Sequence, residues 1–209
     1  MSDKIAILIG YSGHAYVVAE AAIEMGIDLQ YYSDINQLVK NPFELRFLGD
    51  DNAKDFLGWN RGLGFILGIG DNKVREDIGI KIAERNESLL TIIHPSASIA
   101  KYAKIGNGVF LSRNVSINSF VTIGDYSIVN TGSILEHECS IGIAVHIAPG
   151  AVLAGNVTVG DRSFIGANAV VKQGVVIGKN VIIGAGAVVL KNLPDNTIVA
   201  GNPARQIDR

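Results

Sequence analysis

The sequence predicts a chain in two parts, a small α/β unit built on a parallel sheet and then an all-β parallel helix. Three observations predict it. A branched aliphatic residue recurs every six positions from Ile99 to Val189. Before that, short apolar runs alternate with helix-like stretches. The two patterns meet at His94-Pro95, which divides the chain into residues 1–94 and 95–209.

The six-residue repeat runs through Ile99, Ile105, Leu111, Ile117, Ile123, Val129, Leu135, Ile141, Ile147, Leu153, Val159, Ile165, Val171, Ile177, Ile183 and Val189. A period of six matches neither the 3.6 residues of a helical turn nor the two-residue alternation of a strand. It is the repeat of a parallel β-helix. Each short strand sends one side chain inward, a turn redirects the chain, and three faces close a triangular coil. The next coil stacks at the strand spacing of about 4.8 Å. Two residues before each stop the side chain is small or Val, from Ala97 and Ala103 through Cys139 to Val181 and Ala187. These positions fall near the corners, where little room remains. Gly and Asn tolerate the backbone angles that tight corners impose. The register never breaks, which predicts about five regular coils and no long inserted loop.

In the first part, Lys4 to Ile9 is a buried strand, and Gly10-Tyr11-Ser12-Gly13-His14 is a glycine-rich turn. Ala15 to Met25 reads as a helix stopped by Gly26. Leu29 to Tyr32 is a second strand ended by Ser33-Asp34, and Asp51 to Trp59 reads as a short helix. Gly64 to Ile69 is a third strand, Gly70-Asp71-Asn72 a turn, Lys73 to Arg85 a charged helix, and Leu89 to Ile93 a fourth strand. Strands alternating with helices mean βαβ units, so this part is a Rossmann-like parallel sheet. Ligands of such sheets sit beyond the carboxyl ends of the strands. Three turns arrive there: Gly10 to His14, Ser33-Asp34 and Gly70 to Asn72. The free N–H groups of a helix opened by Gly13 suit a phosphate, and Asp34 suits the donors of a ribose or base. A nucleotide fits this pattern. The turn lacks the full G-x-G-x-x-G fingerprint, which weighs against a dinucleotide redox cofactor. At the other end, Pro194 and Pro203 stop the repeat and begin a cap over its last coil.

Composition narrows the function. The chain has 209 residues, 48% of them apolar, enough for an ample core. No apolar run approaches the roughly twenty residues of a membrane span. Met1-Ser2-Asp3-Lys4 lacks the features of a signal peptide. The single cysteine fits a reducing compartment, so a cytoplasmic location is expected. The net charge of -2, with no basic block, argues against nucleic acid or a membrane as partner.

One segment departs from the repeat's turn chemistry: Leu135-Glu136-His137-Glu138-Cys139. Leu135 and Cys139 are the inward pair by register, which leaves the three polar residues on the outside. A histidine beside carboxylates suits a general base, because a carboxylate favours the imidazolium and fixes its tautomer. The same residues would serve equally as a solvated charged face. His146 follows nine residues later. Two histidines and two glutamates are a weak metal signal, and no metal is expected. Cys139, as an inward residue, reads as core more readily than as a nucleophile.

The uninterrupted hexapeptides, together with GYSGHA, GIGDN, LEHECSIGIAVHIAPGAVLAGNV and the terminal VAGNPAR, resemble the left-handed β-helix sugar O/N-acyltransferases. That group contains nucleotide-sugar N-acetyltransferases of the bacillosamine and perosamine type and sialic acid O-acetyltransferases. The resemblance implies the left hand of the coil, acetyl-CoA as co-substrate and a homotrimer with active sites between subunits. It implies acetylation of the amine of a nucleotide-linked 4-amino-dideoxy sugar, or alternatively O-acetylation of a sugar such as sialic acid. His137 matches the family's general base, and Glu138 the acid that strengthens it. His146, Ala167 and Ala185 match acetyl-CoA contacts. Ser12, Gly13 and His14 match the nucleotide-sugar loop, and Asp34, Gly70, Asn72 and Arg75 fall where the family contacts the nucleotide.

Overall fold

The computed structural model describes residues 5–207; the predicted first strand residue, Lys4, lies outside them. The first part is a five-stranded parallel sheet. Its strands are β1 (Ile5–Ile9), β2 (Asp28–Ser33), β3 (Arg46–Phe47), β4 (Gly64–Leu67) and β5 (Ser88–Leu89), in spatial order β3-β2-β1-β4-β5. Helices α1 (Gly13–Glu24) and α2 (Asn72–Glu84) cover its two faces. The central strand shows why. Ala6 and Leu8 belong to one core with Ala15, Val18 and Ala22 of α1. Ile7 and Ile9 belong to another with Ile78 and Ile82 of α2. A strand buried on both sides needs apolar residues at every position, and β1 reads IAILI.

Two sequence expectations are corrected here. Residues 51–59 form no helix. They turn repeatedly, each turn closed by an i to i+3 bond: Ala53 N–H to Asp50 O, Phe56 N–H to Ala53 O, Trp59 N–H to Phe56 O. Gly58, Asn60 and Gly62 prevent the run from growing into a helix, the last two with positive φ. The expected strand Leu89 to Ile93 is two strands. Ser88–Leu89 closes the sheet, and Ile92–Ile93 pairs with Phe110–Leu111 as the first rung of the second part.

The second part is a three-sided prism. From Ile92 to Val189 each rung pairs in parallel with the rung eighteen residues on, as Ser116↔Ile134 and Ile134↔Val152, so three hexapeptides make one coil; the closing rung pairs at sixteen, Ile182↔Ile198. Sheets of six, five and eight strands form the faces, the last strand of the eight-stranded sheet being antiparallel. The stack exceeds the expected five coils because Ile92–Ile93 and Ile198–Ala200 add rungs at either end. All inward aliphatics from Leu111 to Val189 join one core.

The small inward positions have a second use. Ser127 donates to Gly142 O (2.9 Å) and accepts from Val145 N–H (3.1 Å), and Ser163 does the same with Gly178 O (2.7 Å) and Val181 N–H (3.0 Å). A fully buried hydroxyl is tolerated because it bridges adjacent coils with both of its bonding roles filled.

The sheet unit lies on one face of the prism, the one containing Phe110–Leu111, Ile128–Val129 and His146–Ile147. Phe110 and Ile128 enter the α1 core. The unit also grips both edges of that face. Arg113 pairs with Glu20 and Glu24 of α1 at one edge. At the other, Arg162 pairs with Glu76 of α2 (3.1 Å). The third edge, built from turns 101–102, 119–120, 137–138, 155–156 and 173–174, therefore points away from the sheet unit.

Candidate active site

The strand order places β1 beside both β2 and β4, and a crevice opens beyond their carboxyl ends. A cleft of about 280 Å³ lies there. Gly10, Ser12, Asp34, Gly68 and Gly70 line it, with Val74 and Ile78 as an apolar wall. The backbone crowds closely at this point. A Cβ on Gly68 would meet Gly10 O and the Ala15 side chain, and Gly10 has φ +81. Ser12 stands at the N-cap of α1, but its side chain makes no capping bond, and no acid occupies the first turn. The opening N–H groups of α1, from Gly13 onward, thus remain free to receive an anion. Asp34 is held by Tyr11 N–H (3.0 Å) and Ile35 N–H (2.8 Å). Asp50, Asp51 and Asn52 also line this cleft. They sit in a loop without a recognisable motif, so spacing along the chain gave no signal for them.

Arg75 does not line the crevice. It is 1% exposed, and its guanidinium is spent on backbone carbonyls. Nε donates to Tyr126 O (2.6 Å), Nη1 to Gly70 O (2.9 Å), and Nη2 to Ala144 O (3.1 Å) and to Asn72 Oδ1 (2.8 Å). Asn72 in turn donates to Arg162 O (2.9 Å) and Ser163 O (3.1 Å). These two side chains clamp the sheet unit to the prism, and Asn72 also borders a neighbouring cleft with Gly70, Arg162 and Phe164. Burial lowers the Arg75 pKa to about 10, which leaves it charged at neutral pH. Arg75→Leu should cost more than about 3 kcal/mol, because several buried carbonyls lose their donor together. Arg75→Lys should recover little, since an ammonium cannot span the fork. Chemical denaturation of the three chains checks this.

His14 turns from the first turn of α1 toward the prism. Its ring packs edge-on against Phe110 (5.7 Å) and beside His146 (6.0 Å). His146 in turn meets Phe164 (5.1 Å) and Asn130 (3.3 Å). Burial first, and the Arg75 charge second, push the pKa of His14 down to about 4 and that of His146 to about 3. Both are neutral at pH 7. The unfolded chain binds these protons near pH 6.5, whereas the folded chain refuses them until about pH 4 and 3. Stability should therefore fall as pH drops below 6.5, by up to about 1.4 kcal/mol per unit for each group. Thermal unfolding between pH 7 and 5 should show this, and His146→Asn should flatten the slope.

Cys139 is fully buried, and its Sγ lies 3.3 Å from Ala154 O. Burial raises the thiol pKa, which suits a core residue and not a nucleophile.

His137 and Glu138 occupy the third edge. Both are exposed, at 51% and 62%, and His137 Nδ1 lies 3.1 Å from Glu138 Oε2. A carboxylate on Nδ1 holds the proton there and leaves the Nε2 lone pair for chemistry. The ring lies across the next coil. A Cβ built on Gly155 would approach Cε1 and Nε2 well inside the 3.0 Å that real Cβ atoms keep. Gly155 has no positive φ to explain it, so its lack of a side chain serves the imidazole. Ala167 and Ala185 stack one coil apart on a different edge, linked by Gly186 N–H to Ala167 O (2.8 Å). Their small side chains leave backbone accessible there.

The structure therefore brings His14 and His146 together, joins Ser12, Asp34 and Gly70 in the crevice, and keeps His137 on the far side of the prism.

Comparison with known proteins matches this layout. Residues 4–82 match the PglD N-terminal domain, residues 138–173 the bacterial transferase hexapeptide (six repeats), and residues 156–191 the hexapeptide repeat of succinyl-transferase. The GDP-perosamine N-acetyltransferase of Caulobacter crescentus, solved as a histidine-to-alanine variant with CoA and GDP-perosamine, superposes with a TM-score of 0.92. It is 37% identical, over 99% of this chain and 97% of that one. This chain belongs to the hexapeptide-repeat sugar acyltransferases. The acetyltransferase domain of PglB from Neisseria gonorrhoeae FA1090 in complex with acetyl coenzyme A is a further relative of this acyltransferase. Its TM-score is 0.89, at 30% identity over 99% of this chain and 100% of that one. The GDP-perosamine N-acetyltransferase of Escherichia coli O157:H7 is 38% identical over 84 residues, which is 40% of this chain and 38% of that relative's length. Among the described residues of the acyltransferase, no helix is long and apolar enough to cross a membrane.

Proposed function

We propose that this chain is a cytoplasmic acetyltransferase that moves an acetyl group from acetyl-CoA to the amine of a nucleotide-linked 4-amino-dideoxy sugar. A GDP-linked sugar is the first acceptor to test. One observation carries the reading. An exposed imidazole, oriented by its neighbouring carboxylate, stands on the prism edge opposite the nucleotide crevice, in a chain that matches GDP-perosamine N-acetyltransferase along nearly its whole length.

Ser12, Gly13 and the open first turn of α1 receive the diphosphate, and Asp34 and the Gly70 backbone border the nucleoside. His146, Ala167 and Ala185 line the path of the pantetheine arm. The amine attacks the thioester carbonyl and the C–S bond breaks. His137 Nε2 accepts the proton that the nitrogen sheds and returns it to the departing sulfur, while Glu138 holds the imidazolium. No covalent acyl-enzyme is needed.

The crevice and His137 lie on opposite sides of one prism, so a complete site requires a second chain. A homotrimer of parallel prisms satisfies this by setting His137 of one subunit against the His14 loop of the next. Two measurements test the proposal. Wild-type chain should release free thiol from acetyl-CoA with GDP-perosamine or another 4-amino-sugar nucleotide. Subunits lacking His137 and subunits lacking His14 should regain activity when mixed. No thiol release with any such acceptor, or a strictly monomeric active chain, sinks it.

A further inference from the structure

We infer that Phe120, backed by Tyr102, forms an aromatic platform that binds the apolar face of the acceptor sugar and sets its preference for deoxygenated rings. The inference rests on the function proposed above and adds a specificity-determining subsite to it.

The aromatic side chains of the described residues are buried or partly buried with two exceptions, Phe120 at 61% exposure and Tyr102 at 59%. These two stack on each other, with ring centroids 5.6 Å apart and planes 9° from parallel. They also share the edge that carries His137 and Glu138. Phe120 lies eighteen residues before Glu138, and Glu138 N–H donates to the carbonyl of Ser119 (3.0 Å). The platform is therefore the coil directly beside the His137–Glu138 pair.

Phe120 occupies the left-handed corner of its turn, with φ +64, as Glu138, Asn156 and Gly174 do on later coils of the same edge and Tyr126 and Arg162 do on another. That corner projects the ring outward, where it packs on Tyr102 and otherwise stays largely exposed.

The ligand class follows from position. His137 leans over Gly155, on the side of the coils that carry Ala167 and Ala185. The thioester side of the site thus runs toward the later coils, and Phe120 and Tyr102 lie on the other side, toward the earlier ones. A pyranose whose amine reaches the imidazole extends about one coil spacing back along the edge. A deoxygenated ring presents C–H groups and a methyl to the aromatic face, where a hydroxylated ring would lose water contacts.

Steady-state kinetics of Phe120→Ala, Phe120→Leu and Phe120→Tyr with acetyl-CoA and GDP-perosamine test the inference, with sedimentation to record subunit assembly. Phe120→Ala and Phe120→Leu should raise the acceptor KM about tenfold, equivalent to about 1.4 kcal/mol. The acetyl-CoA KM and the assembly should stay unchanged, and Phe120→Tyr should restore the acceptor KM. Discrimination against the matching 6-hydroxylated sugar nucleotide should shrink in the alanine variant. An unaltered acceptor KM in an active Phe120→Ala chain overturns the platform alone. So does a loss of assembly that accounts for the defect, because the rings would then be an anchor between subunits. A wild-type chain inactive on all amino-sugar nucleotides overturns the proposed function and the platform with it.

Discussion

His137→Ala should reduce turnover by about 10²- to 10⁴-fold, the usual worth of a positioned general base, while the thermal midpoint stays within a degree or two of wild type. The imidazole is half exposed and bonds only to its neighbouring carboxylate, so its removal leaves no cavity and strands no buried partner. The loss should fall on kcat, with KM for both substrates little changed. Stopped assays of thiol release at saturating substrate measure this. Activity near wild type would remove His137 from proton transfer and leave the amine to lose its proton to water.

Gly155→Ala should be nearly as severe, from a single methyl group. The new Cβ and the imidazole cannot share the space over that coil, so the ring must rotate off it. Displacing a reacting group by about 1 Å costs about 10²-fold in rate, and the same fall in kcat is expected here. The backbone at Gly155 is not left-handed, so alanine should fold without penalty and lower the entropy of the unfolded chain. That combination distinguishes a positioning role from a structural one. Unfolding should be unchanged or slightly later, and substrate KM values preserved, with kcat depressed. A Gly155→Ala chain with full kcat would show that the imidazole works from another orientation.

Much of this architecture was legible from residue order. The six-residue aliphatic period gave the prism, because every rung places one side chain inward and the pairing repeats at three times that period. The turns at Gly10–His14, Asp34 and Gly70 gave the crevice, because ligands of parallel sheets collect at strand ends. His137 stood out because a charged trio interrupts turn chemistry supplied mostly by Asn and Gly. Other features carried no local mark. Residues 51–59 look amphipathic enough for a helix but are held in successive tight turns. Asp50 to Asn52 enter the crevice only through the path of the loop after β3. Arg75 reads as one charge among several on α2, and nothing nearby in sequence announces that carbonyls of Tyr126 and Ala144 await it.

The sequence by itself determined that there are two folding units, since periodicity is a local property, but the prism begins at Ile92–Ile93, ahead of the His94-Pro95 break in the pattern. Only the tertiary structure decided how those units are mounted. The Arg75 and Asn72 clamp and the α1 core fix the sheet on one face of the prism. That choice puts His14 against His146 and turns His137 outward. The physical reason is that docking one unit on another depends on contacts between residues fifty to ninety positions apart, such as Arg75 with Tyr126 and Asn72 with Arg162, and no window of the chain contains both partners.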